Sequence, residues 1–168
     1  MLFVLDASAL INEPNFSFEK GHLYMTTQAV VDELKSIETR HLVENAIHHR
    51  SLETKNPSAG TVQGIRHVIA EKGFRPLSKA DVSVIALAKE LKEEGLAFRV
   101  LTDDYSIQNF LGILKIPFSS VIQGEIRSTI EFQKYCPGCS KTFSNSSKLG
   151  ECDFCGTPLR SRKAHPEK

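Results

Sequence analysis

Cysteine is absent until position 136 of this 168-residue chain, and all four cysteines fall in the last 33 residues. Any disulfide or thiolate–metal staple is therefore confined to the C-terminal end. Long apolar runs are also missing: none approaches the ~18 residues of a membrane-spanning helix. The start, MLFVLDAS, has no basic residue and meets an acid at position 6. It lacks the basic n-region and long apolar stretch of a secretory signal. It reads as a buried strand, and a cytoplasmic, membrane-free protein is the default expectation. Histidines are few and scattered (22, 41, 48, 49, 67 and 165), and none has an obvious ligand spacing with the acids. They read as ordinary surface or core residues.

Forty per cent hydrophobic residues suffices for a core, which excludes a disordered chain. The length holds one ordinary domain plus a small module. A formal charge of +1 hides an asymmetry. Residues 1–133 carry 14 Lys/Arg and 17 Asp/Glu, giving −3; residues 134–168 carry 7 and 3, giving +4. Four thiolates on one Zn²⁺ would offset about 2 of those positive charges. The remaining surplus is compatible with nucleic-acid contact.

Apolar and helical patterns alternate along the chain. FVLD reads as a strand ending at Asp6, followed by a short helix that Pro14 closes. HLYMTT reads as a strand, and QAVVDELKSIE as a helix with Val30, Val31 and Leu34 on one side. Residues 40–55 are polar but helix-compatible. SAGTVQGIRHVIAEKG predicts a helix entered through Ser58 and stopped at Gly73. In LSKADVSVIALAKELKEEG, Ser78 and Asp81 mark a helix start. The inward stripe is Val82, Ile85, Ala86, Ala88 and Leu91, and Gly95 ends it. AFRVLT is a strand delivering Asp103 and Asp104, YSIQNFLGILK a helix, and PFSSVI a last short strand. This alternation predicts a parallel α/β sandwich, whose ligands bind beyond the carboxyl ends of the strands.

Acids recur at those ends. Asp6, Glu33, Asp81 and Asp104, with Asp103 as rival or helper, form the candidate site. Crowded carboxylates repel one another unless a divalent cation neutralises them, and oxygen-only ligands suit Mg²⁺ or Mn²⁺. Taken singly each acid also has a plainer reading: Asp6 as an N-cap, Glu33 as a surface residue, Asp81 as a helix-start acid, one of Asp103 and Asp104 as a turn residue. Ser8 and Thr102 stand beside two of the acids and could hydrogen-bond them or simply cap. Tyr105, Gln108 and Asn109 follow on the next helix and could orient an acid or meet RNA.

At the C-terminus, Y-C-P-G-C-S-K-T-F and E-C-D-F-C-G-T-P-L place two C-x2-C knuckles 12 residues apart. Cys136, Cys139, Cys152 and Cys155 complete a four-thiolate tetrahedron that selects one zinc, or less often iron, and leaves no position for water; a redox C-x2-C pair is the remaining alternative. A 35-residue segment cannot bury enough surface alone, so the metal should supply its stability. Phe143 and Leu159 suit a minimal core. Lys134, Tyr135, Lys141, Phe143, Lys148, Arg160, Arg162 and Lys163 mix bases with aromatics, as RNA-contacting surfaces do; the plainer reading makes Phe143 core and the end a loose tail.

FVLDASALI, VDEL at 31–34, LSKADVSVIALAKEL and VLTDDYSIQN resemble the successive motifs of the PIN-domain family. With the ribbon directly following, the chain is more specifically similar to the archaeal endonucleases that mature the 3′ end of small-subunit ribosomal RNA. The resemblance covers about residues 1–160. It implies a three-layer α/β/α sandwich with a central parallel sheet, residues 1–124, then a linker 125–133, a zinc ribbon 134–160 and a basic tail 161–168. It further implies Mg²⁺- or Mn²⁺-dependent hydrolysis of single-stranded RNA. Asp6, Asp81 and Asp104 would hold one or two cations, Glu33 would act through water, and Asp103 would assist. Expected partners are precursor ribosomal RNA, the small-subunit precursor and its assembly proteins. One departure is C-D-F-C at the second knuckle, where the family often carries proline. A toxin-like PIN ribonuclease is the competing enzyme reading, although such toxins resemble bare PIN domains. A non-catalytic scaffold of ribosome assembly is the competing non-enzyme, although every acidic position is filled.

Overall fold

The computed structural model describes residues 1–12, 16–73, 75–121, 132–143 and 150–163. Pro14, Lys148 and most of the expected linker lie outside these. The chain forms two units: Met1–Ile65 with Ser78–Thr129, and Arg66–Leu77 with Ile130–Lys168. No helix among the described residues is long and apolar enough to cross a membrane.

In chain order the elements are β1 (Leu2–Leu5), α1 (Ala7–Ile11), β2 (Leu23–Thr26), α2 (Gln28–Glu33), α3 (Ile37–His48), β3 (Leu52–Thr54), α4 (Ala59–Lys72), α5 (Lys79–Glu93), β4 (Phe98–Leu101), α6 (Tyr105–Ile113) and β5 (Phe118–Ser119). The five strands form one wholly parallel sheet in the order β3-β2-β1-β4-β5. Strand order reverses between β1 and β4, which pair Leu2 with Phe98 through Leu5 with Leu101. Such a switch point opens a crevice at the carboxyl ends of the two strands. Asp6 follows β1 and Thr102–Asp104 follow β4, so both acidic segments sit there.

Burial explains the sequence pattern. Val4, Leu5 and Val100 are fully buried, as expected for strands covered on both faces. The five stripe residues of α5 are buried, and so are Ser83, Val84 and Leu87 between them. The apolar face is wider than predicted because α5 meets α2, α6, β1 and β4, and a helix apolar nearly all round belongs inside a core. Its start is a capping box: Ser78 N–H donates to Asp81 Oδ2 at 2.8 Å and Asp81 N–H to Ser78 Oγ at 3.1 Å.

Two local expectations are corrected. QAVVDELKSIE is not one helix. α2 ends at Glu33, Leu34 turns extended (ψ 117) with its side chain fully buried, and Ser36 caps a new helix by accepting from Thr39 N–H. Burying Leu34 outweighs continuing the helix. Residues 40–55 are not helical throughout either: α3 stops at His48 and β3 joins the sheet edge. Only Leu52 of its three residues is buried, so no alternation could be read.

The second unit contains β6 (Phe132–Tyr135), β7 (Thr142–Phe143) and β8 (Arg160–Lys163). They form an antiparallel sheet in the order β7-β6-β8, with Tyr135 facing Thr142 on one side and Arg160 on the other. β6 begins inside the expected linker. β8 carries the sheet three residues into the expected tail.

Candidate active site and cysteine centre

Asp6 is the anchor of the first site. It caps α1, and the residue is only 2% exposed. Oδ2 accepts from Ser8 Oγ at 2.7 Å, Thr102 Oγ1 at 2.9 Å and Ser8 N–H at 3.3 Å. Ser8 Oγ also accepts from Asp103 N–H at 2.9 Å, and Thr102 Oγ1 from Asp104 N–H at 3.1 Å. Two hydroxyls thus tie the ends of β1 and β4 to one oxygen. Oδ1 is buried with no hydrogen-bond partner among the described residues. Burial pushes the Asp6 carboxyl up from its ordinary value of 3.8, although the bonds from Ser8 and Thr102 pull the other way. A buried carboxylate oxygen with nothing to accept from is costly unless a cation completes it.

A cleft of about 540 Å³ opens over this point, lined by Asp6, Glu33, Asp81 and Asp104 together with Ser8, Lys35 and Ser36 among others. The structure therefore brings four of the five predicted acids together from four segments. Burial raises the Glu33 carboxyl, and the negative charges of Asp81 and Asp6 raise it further. That mutual repulsion is the cost of crowding carboxylates. The plainer readings hold as well. Asp104 caps α6 through Ser106 N–H at 2.6 Å and Ile107 N–H at 3.4 Å, and Asp81 closes the α5 capping box. Cap and cleft wall are the same side chain in three cases.

Asp103 does not line the cleft. Its Oδ1 accepts from Val121 N–H at 2.9 Å and from the Ser120 hydroxyl, which braces the chain after β5. Gln108 and Asn109 are buried, at 1% and 7% exposure. Both side chains sit inside the fold rather than on the exposed surface where RNA contact was expected. Gln108 Nε2 instead donates to Thr102 O at 2.8 Å, so it orients the segment that holds Asp6. Tyr105 is 55% exposed. Lys35 and Ser36 were missed by sequence reasoning. Their signal was adjacency to Glu33 across a single apolar residue, Leu34. Also unread was the 2.6 Å bond between the buried hydroxyls of Thr27 and Ser83, which joins α2 to α5 and so links the helices carrying Glu33 and Asp81.

The acids fit a hard divalent cation by donor type, by the orphaned Asp6 Oδ1 and by their mutual repulsion. They line an open cleft rather than close on one point. That suits a cation such as Mg²⁺, which keeps several waters and takes one or two carboxylates plus substrate phosphate.

The cysteines are arranged differently. Their four Sγ atoms all lie within 4.8 Å of one another. Cys136 and Cys155 Sγ are 3.3 Å apart, and Cys139 and Cys152 Sγ 3.6 Å. A tetrahedron of sulfurs about 2.3 Å from zinc has edges of about 3.8 Å, so the group fits one zinc. The two knuckles repeat the same bonds. Cys136 N–H donates to Lys141 O and Cys152 N–H to Thr157 O, while Ser140 N–H donates to Cys136 O and Gly156 N–H to Cys152 O. Ser140 (φ 61) and Gly156 (φ 73) hold the same left-handed position. The Thr157 hydroxyl and backbone N–H hold the Cys155 thiol down at about 6, which favours the thiolate. A Cβ on Gly138 would meet Thr157 Oγ1 at 2.6 Å, so a larger residue there would have to displace the Thr157 side chain. On the surface, the Lys141 amine stands 3.7 Å over the Phe154 ring, Arg160 is exposed, and Lys134 and Phe143 are half-buried. Arg162 and Lys163 contribute backbone to β8; their side chains lie outside the described residues.

Comparison with known proteins defines the class first. The family model for the PIN domain of ribonuclease matches residues 3–91. The chain is 34% identical over 163 residues to "Endoribonuclease Nob1" of Methanothermobacter thermautotrophicus, covering 96% of this chain and 92% of that protein. It is 36% identical over 158 residues to the Pyrococcus abyssi protein of the same name, covering 94% and 91%. With that of Methanocaldococcus jannaschii it shares 31% over 159 residues, covering 95% and 76%. The chain belongs to the PIN-domain ribonucleases and, among them, to the Nob1 endoribonucleases.

Proposed function

We propose that the chain is a metal-dependent endoribonuclease that hydrolyses single-stranded precursor ribosomal RNA and matures the 3′ end of the small-subunit RNA. The observation that carries this reading is Asp6: a buried carboxylate with one unanswered oxygen, at the strand switch point, facing three further acids across a cleft in a PIN-family chain.

Asp6, Asp81 and Asp104 would hold Mg²⁺ or Mn²⁺, which when bound would lower the proton affinity of water and neutralise charge on the phosphoryl oxygens. Glu33, whose carboxyl is raised by burial and by its neighbours, orients the attacking water and accepts its proton. Hydrogen bonds from Ser8 and Thr102 to Oδ2 favour the ionised form of Asp6 against burial and hold it in register. The water oxygen joins phosphorus, the P–O3′ bond breaks, and O3′ takes a proton from solvent. The products are a 5′-phosphate and a 3′-hydroxyl. In the second unit the four cysteines would hold one structural zinc, their four sulfurs leaving no position for water. Lys134, Lys141, Lys148, Arg160, Arg162 and Lys163 supply positive charge for RNA within the small-subunit precursor.

The test is incubation of precursor small-subunit RNA with the protein and Mn²⁺ or Mg²⁺, with the cut mapped and its ends identified. One cut at the 3′ boundary, with a 5′-phosphate downstream, is expected. Asp6→Asn or Asp104→Asn should abolish it while RNA binding persists. Full-rate cutting by either variant at saturating metal would sink these roles.

A further inference from the structure

Lys35 is the one basic residue among the described residues lining the acidic cleft. Its backbone position follows from the break between α2 and α3. Leu34 is extended and fully buried, so the residues on either side of it, Glu33 and Lys35, project away from the core. The junction is fixed from outside by Arg40 Nε, which donates to Leu34 O at 2.5 Å. Lys35 is exposed and has no hydrogen bond or ion pair with another described residue. Its charge pulls the Glu33 carboxyl down against burial and the neighbouring acids, yet the ammonium closes onto none of the four carboxylates and stays open to an incoming anion.

Charge decides what that is. With one divalent cation in place, four carboxylates still carry two negative charges, which would repel an incoming phosphodiester. The first turn of α3 cannot supply the compensating charge, because Ser36 Oγ already accepts from Thr39 N–H and Glu38 adds a further acid there. Lysine is a compact, mobile point charge with three donors, suited to a phosphate.

We infer that Lys35 binds a non-bridging oxygen of the phosphodiester being cut, holding it over the acids and offsetting charge that grows as water adds to phosphorus. This rests on the endoribonuclease reading above. Lys35 is then a catalytic residue, contributed by the α2–α3 junction rather than by any strand end.

The experiment measures single-turnover cutting of a single-stranded RNA oligonucleotide at saturating Mn²⁺ for the wild type, Lys35→Ala, Lys35→Arg and Asp6→Asn. Lys35→Ala should slow cutting roughly 10- to 100-fold, as expected for losing one charge-assisted hydrogen bond. Lys35→Arg should restore most of the rate. The Mn²⁺ midpoint should not move, and the acid limb of the pH profile should shift only slightly upward, because Lys35 also pulls the Glu33 carboxyl down. A Lys35→Ala rate within about twofold of wild type, at full Asp6 dependence, overturns the lysine assignment alone. So does a slowing that raising the pH or the Mn²⁺ concentration fully recovers, because Lys35 would then act only through Glu33 or the cation. If wild type does not cut, the endoribonuclease reading fails and this inference with it; if Asp6→Asn cuts as fast as wild type, the carboxylate site fails and takes this inference with it.

Discussion

Replacing Asp6 with asparagine separates the metal-binding role of this residue from its role in the fold. The two side chains have nearly the same shape, and asparagine caps a helix as well as aspartate does. The amide oxygen can take the bonds now made to Oδ2 by Ser8 and Thr102. The charge at the orphaned Oδ1 position is what disappears. In wild type, a cation present at 100 times its dissociation constant stabilises the folded state by about 2.7 kcal/mol. For a chain of this size that raises the melting midpoint by roughly 5–11 °C. Losing the Asp6 charge should weaken cation binding at least as much as losing an outer partner of a metal ligand does, about 100-fold at the upper end. The same Mn²⁺ concentration then gives only about 0.4 kcal/mol, or ~1–2 °C. The assay is a thermal melt of the zinc-loaded protein across a Mn²⁺ titration, followed by a probe of the first unit. An Asp6→Asn protein that keeps the full Mn²⁺ increment would refute the argument, because the cation would then be held without the buried carboxylate.

Further outcomes can be checked independently. Burial raises both Asp6 and Glu33, so the folded state binds these protons more tightly than the unfolded one. Their stabilising contribution is complete below the ordinary value of 3.8 for Asp6 and is lost as pH climbs through the raised value. Cation binding needs the ionised forms, so the Mn²⁺ increment in melting temperature should grow over that same rise; an increment that is flat with pH contradicts the assignment. Cys136→Ser should lower zinc from about one per chain to near zero by elemental analysis. Backbone exchange in β6, β7 and β8 should accelerate at the same time, while the Mn²⁺ response of the first unit remains. Leu87→Ala, in the fully buried middle of α5, should cost ~2–5 kcal/mol, read as a lower urea midpoint with unchanged slope.

Much of this was legible in the residues because local chemistry and global position agree. Ser78 and Asp81 mark the α5 start by a bond pattern that depends on spacing alone. Each knuckle of the cysteine module closes on its own backbone, so C-x2-C specifies its turn without outside help. Asp6 and Asp104 follow apolar runs and precede helices, and the parallel sheet makes those ends meet. What stayed hidden depends on partners distant in sequence. β3 exists because an edge was available to three residues that carry no pattern of their own. α2 breaks at Leu34 because the core takes that side chain. Gln108 and Asn109 look like surface residues by type, yet α6 turns them inward, and for Gln108 the reward is a bond to the Thr102 carbonyl. The Thr27–Ser83 bond spans 56 positions, and neither residue hints at the other. Lys35 sat beside a predicted acid, but nothing in the pattern said that a buried leucine would leave both on the same side.

The double use of Asp6, Asp81 and Asp104 as helix-start residues has a consequence for how such chains diverge. Asparagine satisfies the backbone at positions 6 and 104 but brings no charge to the cleft. A relative could therefore become inert by one-letter changes that leave its scaffold, its melting behaviour without the cation and its outward likeness to this protein almost untouched. For chains of this shape, likeness of fold is weak testimony about chemistry; the side chain at each helix start has to be read individually.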